Sequence, residues 1–441
     1  MGEWSVTMFF LTGMAVAVGG ISLSRCLFRS YLSPLGLYFG LWGSGLALYG
    51  LDFVGYVPIT DHSFLLVMAS LLCFCWGALS AVALQHVVNQ GTCASYVSRP
   101  SVVSMARLNT LLVVTSLLSF IGAAATMASL LRQVPLPLLM SQPWLVRQQF
   151  LGFGTGTLRW AAWLINLNYP ALILSGIAFA LTRRFGLWNF APLATQIGFS
   201  FVVMGRYPAI TAALIFLGSM SAAQRARLEP DGVVQICSKL RQAVGIIMVV
   251  LSVLGLALQV AALRTGAGVS GALRSVYVYA SGEFPALSVY LQSPDPNRPT
   301  YGFSTFLGLV HDLDKLGIIN KQSSFFNEIK LYKDGINIPF SYNVFTYLRD
   351  LFDDFGSLGM CLGPLALGFT SSLLFLILKA RPFNTTIFLL YVYLFSFIGL
   401  SLWLSLTSNR QYYWGFLVAF PLMRLILIKP RLRMDSGGRI A

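Results

Sequence analysis

Apolar runs of about 18 to 24 residues, the length at which a helix crosses roughly 30 Å of hydrocarbon, recur along the whole chain between short polar breaks. They place spans near 5–24, 34–56, 64–86, 109–131, 160–181, 186–204, 207–223, 242–263, 356–379, 385–406 and 411–428. Lipid cannot satisfy an open backbone, so the pattern predicts an all-α polytopic membrane protein of about 11 transmembrane helices. The sixth and seventh spans are the closest pair. Gly205-Arg206-Tyr207-Pro208 interrupts a single apolar stretch of roughly forty residues, which a re-entrant hairpin would fit as well. No basic residue precedes the first run and no small-residue cleavage site follows it, so it reads as a retained span.

Composition agrees with that pattern. Hydrophobic residues make up 56% of the 441 and charged ones 10%, with a mean hydropathy of +0.73; soluble domains are about a quarter charged. The basic residues then set orientation. Arg25 and Arg29 follow the first span, Arg99 and Arg107 the third, and Arg183 and Arg184 the fifth. Arg225, Arg227, Lys239 and Arg241 follow the seventh, Lys379 and Arg381 the ninth, and Lys429, Arg431 and Arg433 the last. All fall on one side if the N-terminus is outside, and the positive-inside rule makes that side the cytoplasm, where the C-terminus also lies. The expected location is a bacterial-type inner membrane. Most of the +15 net charge is then a topology signal, and nucleic-acid binding is not expected. Cys26, Cys93 and Cys237 fall on cytoplasmic segments and Cys73, Cys75 and Cys361 within spans, so no disulfide framework is implied. Cys73-Phe74-Cys75 reads as packing, since zinc needs two further ligands.

The chain divides into an N-terminal bundle (1–263), a long extracytoplasmic loop (264–355) and a C-terminal group of spans with a short tail (356–441). The loop far exceeds an ordinary connection. Its charges are nearly balanced and interleaved with Phe303, Phe306, Leu307, Leu309, Phe325 and Phe326, a pattern expected of short amphipathic helices lying on the membrane. A second outer segment holds Arg132, Arg147 and Arg159 without any acid, which fits either anionic headgroups or a bound phosphate. Arg206 stands at the outer end of a span beside Pro208, where helix amides already point at an anion. Ionisable residues at membrane depth are functional candidates by default. Together these describe an arginine-rich, outward-facing pocket suited to a lipid-linked phosphate or diphosphate.

Tyr342-Asn343-Val344-Phe345-Thr346-Tyr347-Leu348, then Leu351-Phe352-Asp353-Asp354-Phe355-Gly356-Ser357-Leu358-Gly359, leads into a span with Pro364 and Gly368. This resembles the motif of bacterial O-antigen polymerases, the oligosaccharide repeat-unit polymerases of Wzy type. Gly205-Arg206 is similar to that family's glycine-arginine step, and Tyr279 to Leu287, with Gly302, Thr305 and Phe306 following, to the start of its long outer loop. The resemblance implies a polymerase/ligase architecture of GT-C-like type. It implies transfer of a growing glycan from polyprenyl diphosphate to a new lipid-linked repeat unit, with a diphosphate leaving group and no nucleotide, metal or other cofactor. Asp312 and Asp314 have a spacing that can hold a divalent cation, but one such tripeptide is too little to expect it. Membrane lipids, a chain-length regulator and a flippase are the implied partners.

Site residues follow from that implication. Arg206, with Arg274 or Arg298, would hold the diphosphate through guanidinium forks. His311, Glu283 and Asp354 are the candidates for catalytic base, and Asp353-Asp354 reads first as a cap on the ninth helix. Tyr301, Tyr342, Asn343 and Thr346, with Tyr290, have groups suited to sugars. An O-antigen ligase shares the donor and the expected fold. Another lipid-linked-sugar glycosyltransferase would want acids in the first outer loop, where only Asp52 and Asp61, with His62, are found. A transporter or flippase would want repeated halves and mid-membrane charge, which the spans lack.

Overall fold

In a computed structural model the described residues are 6–91, 102–133, 159–184, 186–202, 205–231, 239–265, 268–292, 300–318, 335–380, 383–405 and 410–428. They form α1 (Val6–Phe28), α2 (Pro34–Tyr49), α3 (Asp61–Gly91), α4 (Met105–Gln133), α5 (Arg159–Asn166), α6 (Asn168–Thr182), α7 (Leu187–Val202) and α8 (Tyr207–Arg225). There follow α9 (Lys239–Thr265), α10 (Gly268–Ser281), α11 (Glu283–Leu291), α12 (Leu307–Lys315), α13 (Tyr347–Ala380), α14 (Thr385–Leu400) and α15 (Arg410–Ile426). Thr7–Phe28, Asp61–Val88, Met105–Arg132, Trp160–Thr182, Ala243–Ala262 and Tyr347–Lys379 are long and apolar enough to cross a membrane; Thr385–Leu400 and Tyr412–Ile426 are apolar but shorter. Their outer faces leave large apolar side chains such as Leu65, Leu72 and Trp76 more than half exposed, as lipid contact allows and water does not. The chain is an all-α, membrane-embedded protein.

Small residues let the helices meet backbone to backbone. A Cβ on Gly77 of α3 would sit 2.1 Å from the Leu365 carbonyl of α13, and one on Gly368 of α13 would sit 2.2 Å from the Phe74 carbonyl. Any side chain there would force the pair apart. α2 lies in the middle. Its Tyr38 stacks on Phe74 at 3.9 Å and meets the Tyr347 hydroxyl at 3.0 Å, while Trp42 Nε1 donates to Ser401 Oγ at 2.9 Å. Buried polar tips with partners fix the register of these contacts.

Two ends can be told apart. β1 (Val102–Val103) pairs with β2 (Glu229–Pro230) in parallel and with β5 (Leu427–Ile428) antiparallel. The segments following α3, α8 and α15 therefore lie on one face. Arg225, at the end of α8, donates to Phe28 O on α1 and Phe375 O on α13, which brings those helix ends to the same basic face. α8 thus runs the depth of the bundle from Arg206 to Arg225, about 28 Å at helical rise. The opposite end carries α10 to α12 and the hairpin of β3 (Ile336–Asn337) and β4 (Ser341–Tyr342).

Several boundaries differ from the sequence pattern. The second span stops at Tyr49, where the chain turns through Gly50 and through Asp52 at φ 43°. The fifth runs from Trp160 to Thr182 with one irregular turn at Leu167, which keeps right-handed helical angles. The ninth is preceded by a helical segment from Tyr347, separated from the span by Gly356, whose non-helical φ of 63° and ψ of −155° suit only glycine. The tenth ends at Leu400, short of 406. Among the described residues of the long loop there are short helices, α10 to α12, but α11 is no surface helix, since Glu283 to Ser288 are all buried.

Candidate functional site

Arg206 precedes α8, and although it is a cation it is only 6% exposed. Its guanidinium turns onto α10, donating from Nη2 to Ser275 Oγ (2.6 Å) and from Nη1 to Ser275 O (3.3 Å). It lies 5.1 Å from the centre of the Tyr279 ring, one helical turn further along α10, a cation–π distance. Tyr279 in turn stacks on Trp403, whose Nε1 donates to Tyr279 O at 2.7 Å. This platform is built from the junction before α8, from α10 and from the segment after α14.

Glu283 opens α11 and is fully buried. Tyr342, arriving on β4, donates its hydroxyl to Glu283 Oε1 at 2.7 Å, and Oε2 has no partner. Burial pushes the Glu283 carboxyl well above the usual carboxylate range, against the opposing effect of the Tyr342 hydrogen bond and of its own amide. Tyr342 is raised as well, first by burial and then by Glu283; Tyr279 also acts on it electrostatically. Arg206 with Tyr279 and Glu283 with Tyr342 are thus two pairs, each holding a buried ionisable group, set on the adjoining helices α10 and α11, close enough for Tyr279 to act electrostatically on Tyr342.

No protein-family model, curated protein or solved structure matches this chain.

The remaining sequence candidates are distributed differently. Arg274 is exposed on α10 beside Ser275, and Arg298 lies outside the described residues, as does Arg147. Asp354 belongs to a second group. Its Oδ1 accepts from Thr300 Oγ1 and, at 2.9 Å, from the Ser304 amide; its Oδ2 accepts from the Thr305 hydroxyl and, at 2.8 Å, from the Thr305 amide. The capping role read for Asp353-Asp354 is thus found on a different target. Asp354 caps the 300–305 turn, while α13 continues through it from Tyr347 to the bend at Gly356. Tyr301 projects from that turn, 71% exposed. His311 sits half-buried on α12 next to Asp312, which accepts from Trp414 Nε1 at 3.2 Å and so docks α12 on α15. Asn343 is exposed, and Thr346 is buried with its hydroxyl unpartnered. Among the described residues no three of His, Cys, Asp and Glu gather as metal ligands.

One residue escaped the sequence reading. Arg349, counted there only among the loop charges, is 8% exposed on the first turn of α13. Its guanidinium is sandwiched between the rings of Tyr290 (3.9 Å) and Phe345 (3.7 Å), and its Nε and Nη1 have no hydrogen-bond partner. Tyr290 meanwhile donates to Asp353 Oδ1. The Phe345 to Arg349 spacing of four residues was the available signal; Tyr290 is too distant in sequence to have pointed to it.

Proposed function

We propose that this protein is a polysaccharide polymerase of the O-antigen type, joining polyprenyl-diphosphate-linked oligosaccharide repeat units at the outer face of a bacterial inner membrane. The polypeptide crosses that membrane about eleven times, with its N-terminus outside and its C-terminus in the cytoplasm. The observation that supports this reading is a buried Arg206 set against Tyr279 of α10 and a buried Glu283 set against Tyr342 at the start of the next helix, at the end opposite the basic face. Glycosyl transfer from a lipid diphosphate needs both kinds of group. A cation must hold the charge that develops on the leaving diphosphate, and a base must take the acceptor's proton.

In this mechanism the acceptor sugar's hydroxyl oxygen attacks the anomeric carbon of the donor glycan. The bond from that carbon to the diphosphate oxygen breaks, and the electron pair leaves with polyprenyl diphosphate. Arg206 holds the departing diphosphate, with exposed Arg274 at the approach and Arg349 as a further guanidinium. Glu283 accepts the proton at Oε2, the oxygen without a partner, while Tyr342 fixes Oε1. Because the carboxyl is held neutral by burial, the active form accumulates as pH rises through its elevated pKa. Asn343, Thr346 and Tyr301 remain candidates for sugar contact, and a flippase and a chain-length regulator are the partners such a reaction calls for.

The test is polymerisation by purified protein in lipid, supplied with a synthetic polyprenyl-diphosphate repeat unit in the presence of chelator and scored as a gel ladder. A ladder that survives chelation and is lost in Arg206→Ala and Glu283→Gln supports the reading. No ladder from folded wild type given its native repeat unit would overturn it in favour of ligation to a different acceptor. Movement of that lipid across the bilayer without bond formation would overturn it in favour of transport.

A further inference from the structure

The basic face of the bundle carries a cluster that the polymerase reading does not use. Arg225, half-buried at the end of α8, lays its guanidinium over the Phe375 ring at 4.4 Å. It donates from Nε to Phe375 O (3.3 Å) on α13 and from Nη1 to Phe28 O (3.5 Å) on α1. That clamp sets it beside Arg29, the residue after Phe28, beside Arg227, and beside Lys379, one turn past Phe375 on α13. The charges acting most strongly on Lys379 are Arg225, Arg227 and Arg29, every one a cation. Like charges held this close at a membrane interface repel one another, and an anion placed among them would remove the cost.

Backbone conformation shows where glycine can replace two of these cations without strain. Arg29 and Arg227 both have left-handed φ values, 54° and 50°, at positions after a helix end where glycine is the unstrained choice. Arginine is kept at both despite the strain, with its side chain exposed. Arg183 ends α6 in the same way, at φ 53°, so the conformation is shared by these basic helix ends, and what sets Arg29 and Arg227 apart is their clustering with Arg225 and Lys379.

We infer that Arg29, Arg225, Arg227 and Lys379 form a binding site for the phosphate headgroup of an anionic membrane lipid, seated between the ends of α1, α8 and α13. The half-buried, ring-backed Arg225 forms the floor, and the three exposed cations close around the headgroup. The lipid's acyl chains then run along the apolar outer faces of the helices. Basic pockets between membrane helices hold anionic headgroups in this manner, each cation near the surface adding to the attraction.

The experiment compares wild type with Arg29→Gly/Arg227→Gly in nanodiscs of phosphatidylcholine with and without phosphatidylglycerol. Glycine removes two charges and relieves both left-handed residues, so the variant stays folded and unfolds in phosphatidylcholine at or above the wild-type temperature. The expected result is that phosphatidylglycerol raises the wild-type Tm and not the variant's. Phosphatidylglycerol binding followed by native mass spectrometry should weaken about 30-fold, at roughly fivefold per cation lost. A control, Arg183→Gly/Arg184→Gln, removes the same charge from the end of α6 and should keep the response. The site is refuted if the double glycine variant responds like wild type, or if the control loses the response equally, which would mean diffuse attraction. Inorganic phosphate reproducing the full effect in phosphatidylcholine would assign the site to a soluble anion and overturn the lipid.

Discussion

Two carboxyl groups at the same end of this protein are equally buried and oppositely treated. Asp354 receives four donors from the 300–305 turn, two of them backbone amides, so both its oxygens are occupied. Glu283 receives one side-chain donor, Tyr342, and keeps an oxygen without a partner. A carboxylate surrounded by donors is a structural clamp, holding a loop by charge-assisted bonds. A carboxyl left half-satisfied, with its charge disfavoured by burial, is suited to moving a proton. Burial alone does not separate structural from chemical residues; how completely their bonds are satisfied does.

The largest effect should come from breaking the clamp. Asp354→Ala strands the Ser304 and Thr305 amides without an acceptor, at about 1 to 3 kcal/mol each. Thermal unfolding in detergent should show a loss of about 2 to 6 kcal/mol, and protease should cut first in 300–318. An unchanged midpoint would remove the distinction between the two acids. Glu283→Gln should do the reverse, losing about 10²- to 10⁴-fold in polymerisation rate with little change in unfolding temperature.

A smaller effect is expected in the pH dependence of stability. The folded state holds a proton on Glu283 that the unfolded chain gives up, because the folded pKa is raised. Its contribution is therefore full below the ordinary carboxylate range and declines as pH rises toward the elevated folded value. Unfolding midpoints between about pH 5 and pH 8 should fall in wild type relative to Glu283→Gln; parallel curves would contradict a raised pKa. Tyr342→Phe should cost about 1 kcal/mol. It should also move the acid limb of the rate profile upward, since the Tyr342 bond holds Glu283 down. The least effect belongs to Tyr301→Gly in the clamped turn. This residue is exposed with φ at 48°, and relief of its left-handed strain should raise stability by about 0.5 kcal/mol.

Membrane character was legible because it is written in runs of neighbouring residues, and the grouping of cations onto one face follows from the alternation of those runs. Asp354 and Glu283 could be picked out as acids in a long loop, but their difference could not. The donors to Asp354 lie about fifty residues earlier in the chain, and Tyr342 meets Glu283 across 59 positions. No local pattern encodes such distances. Arg349 was passed over for the same reason: one of its two aromatic partners, Tyr290, is on a different helix. The boundary expected at 356 is present, since Gly356 is non-helical and separates two helical segments; what the sequence did not reveal is the helical segment from Tyr347 that precedes it.

The small strip at the basic face has a consequence for how the protein is made. β1 is translated early and finds one neighbour, β2, once the chain has reached Pro230, but its other edge waits for Leu427 and Ile428. Every helix from α9 to α15 must leave the ribosome before that edge is closed. Until then one edge of Val102 and Val103 has no strand to pair with, so the strip is completed only at the end of the last described helix.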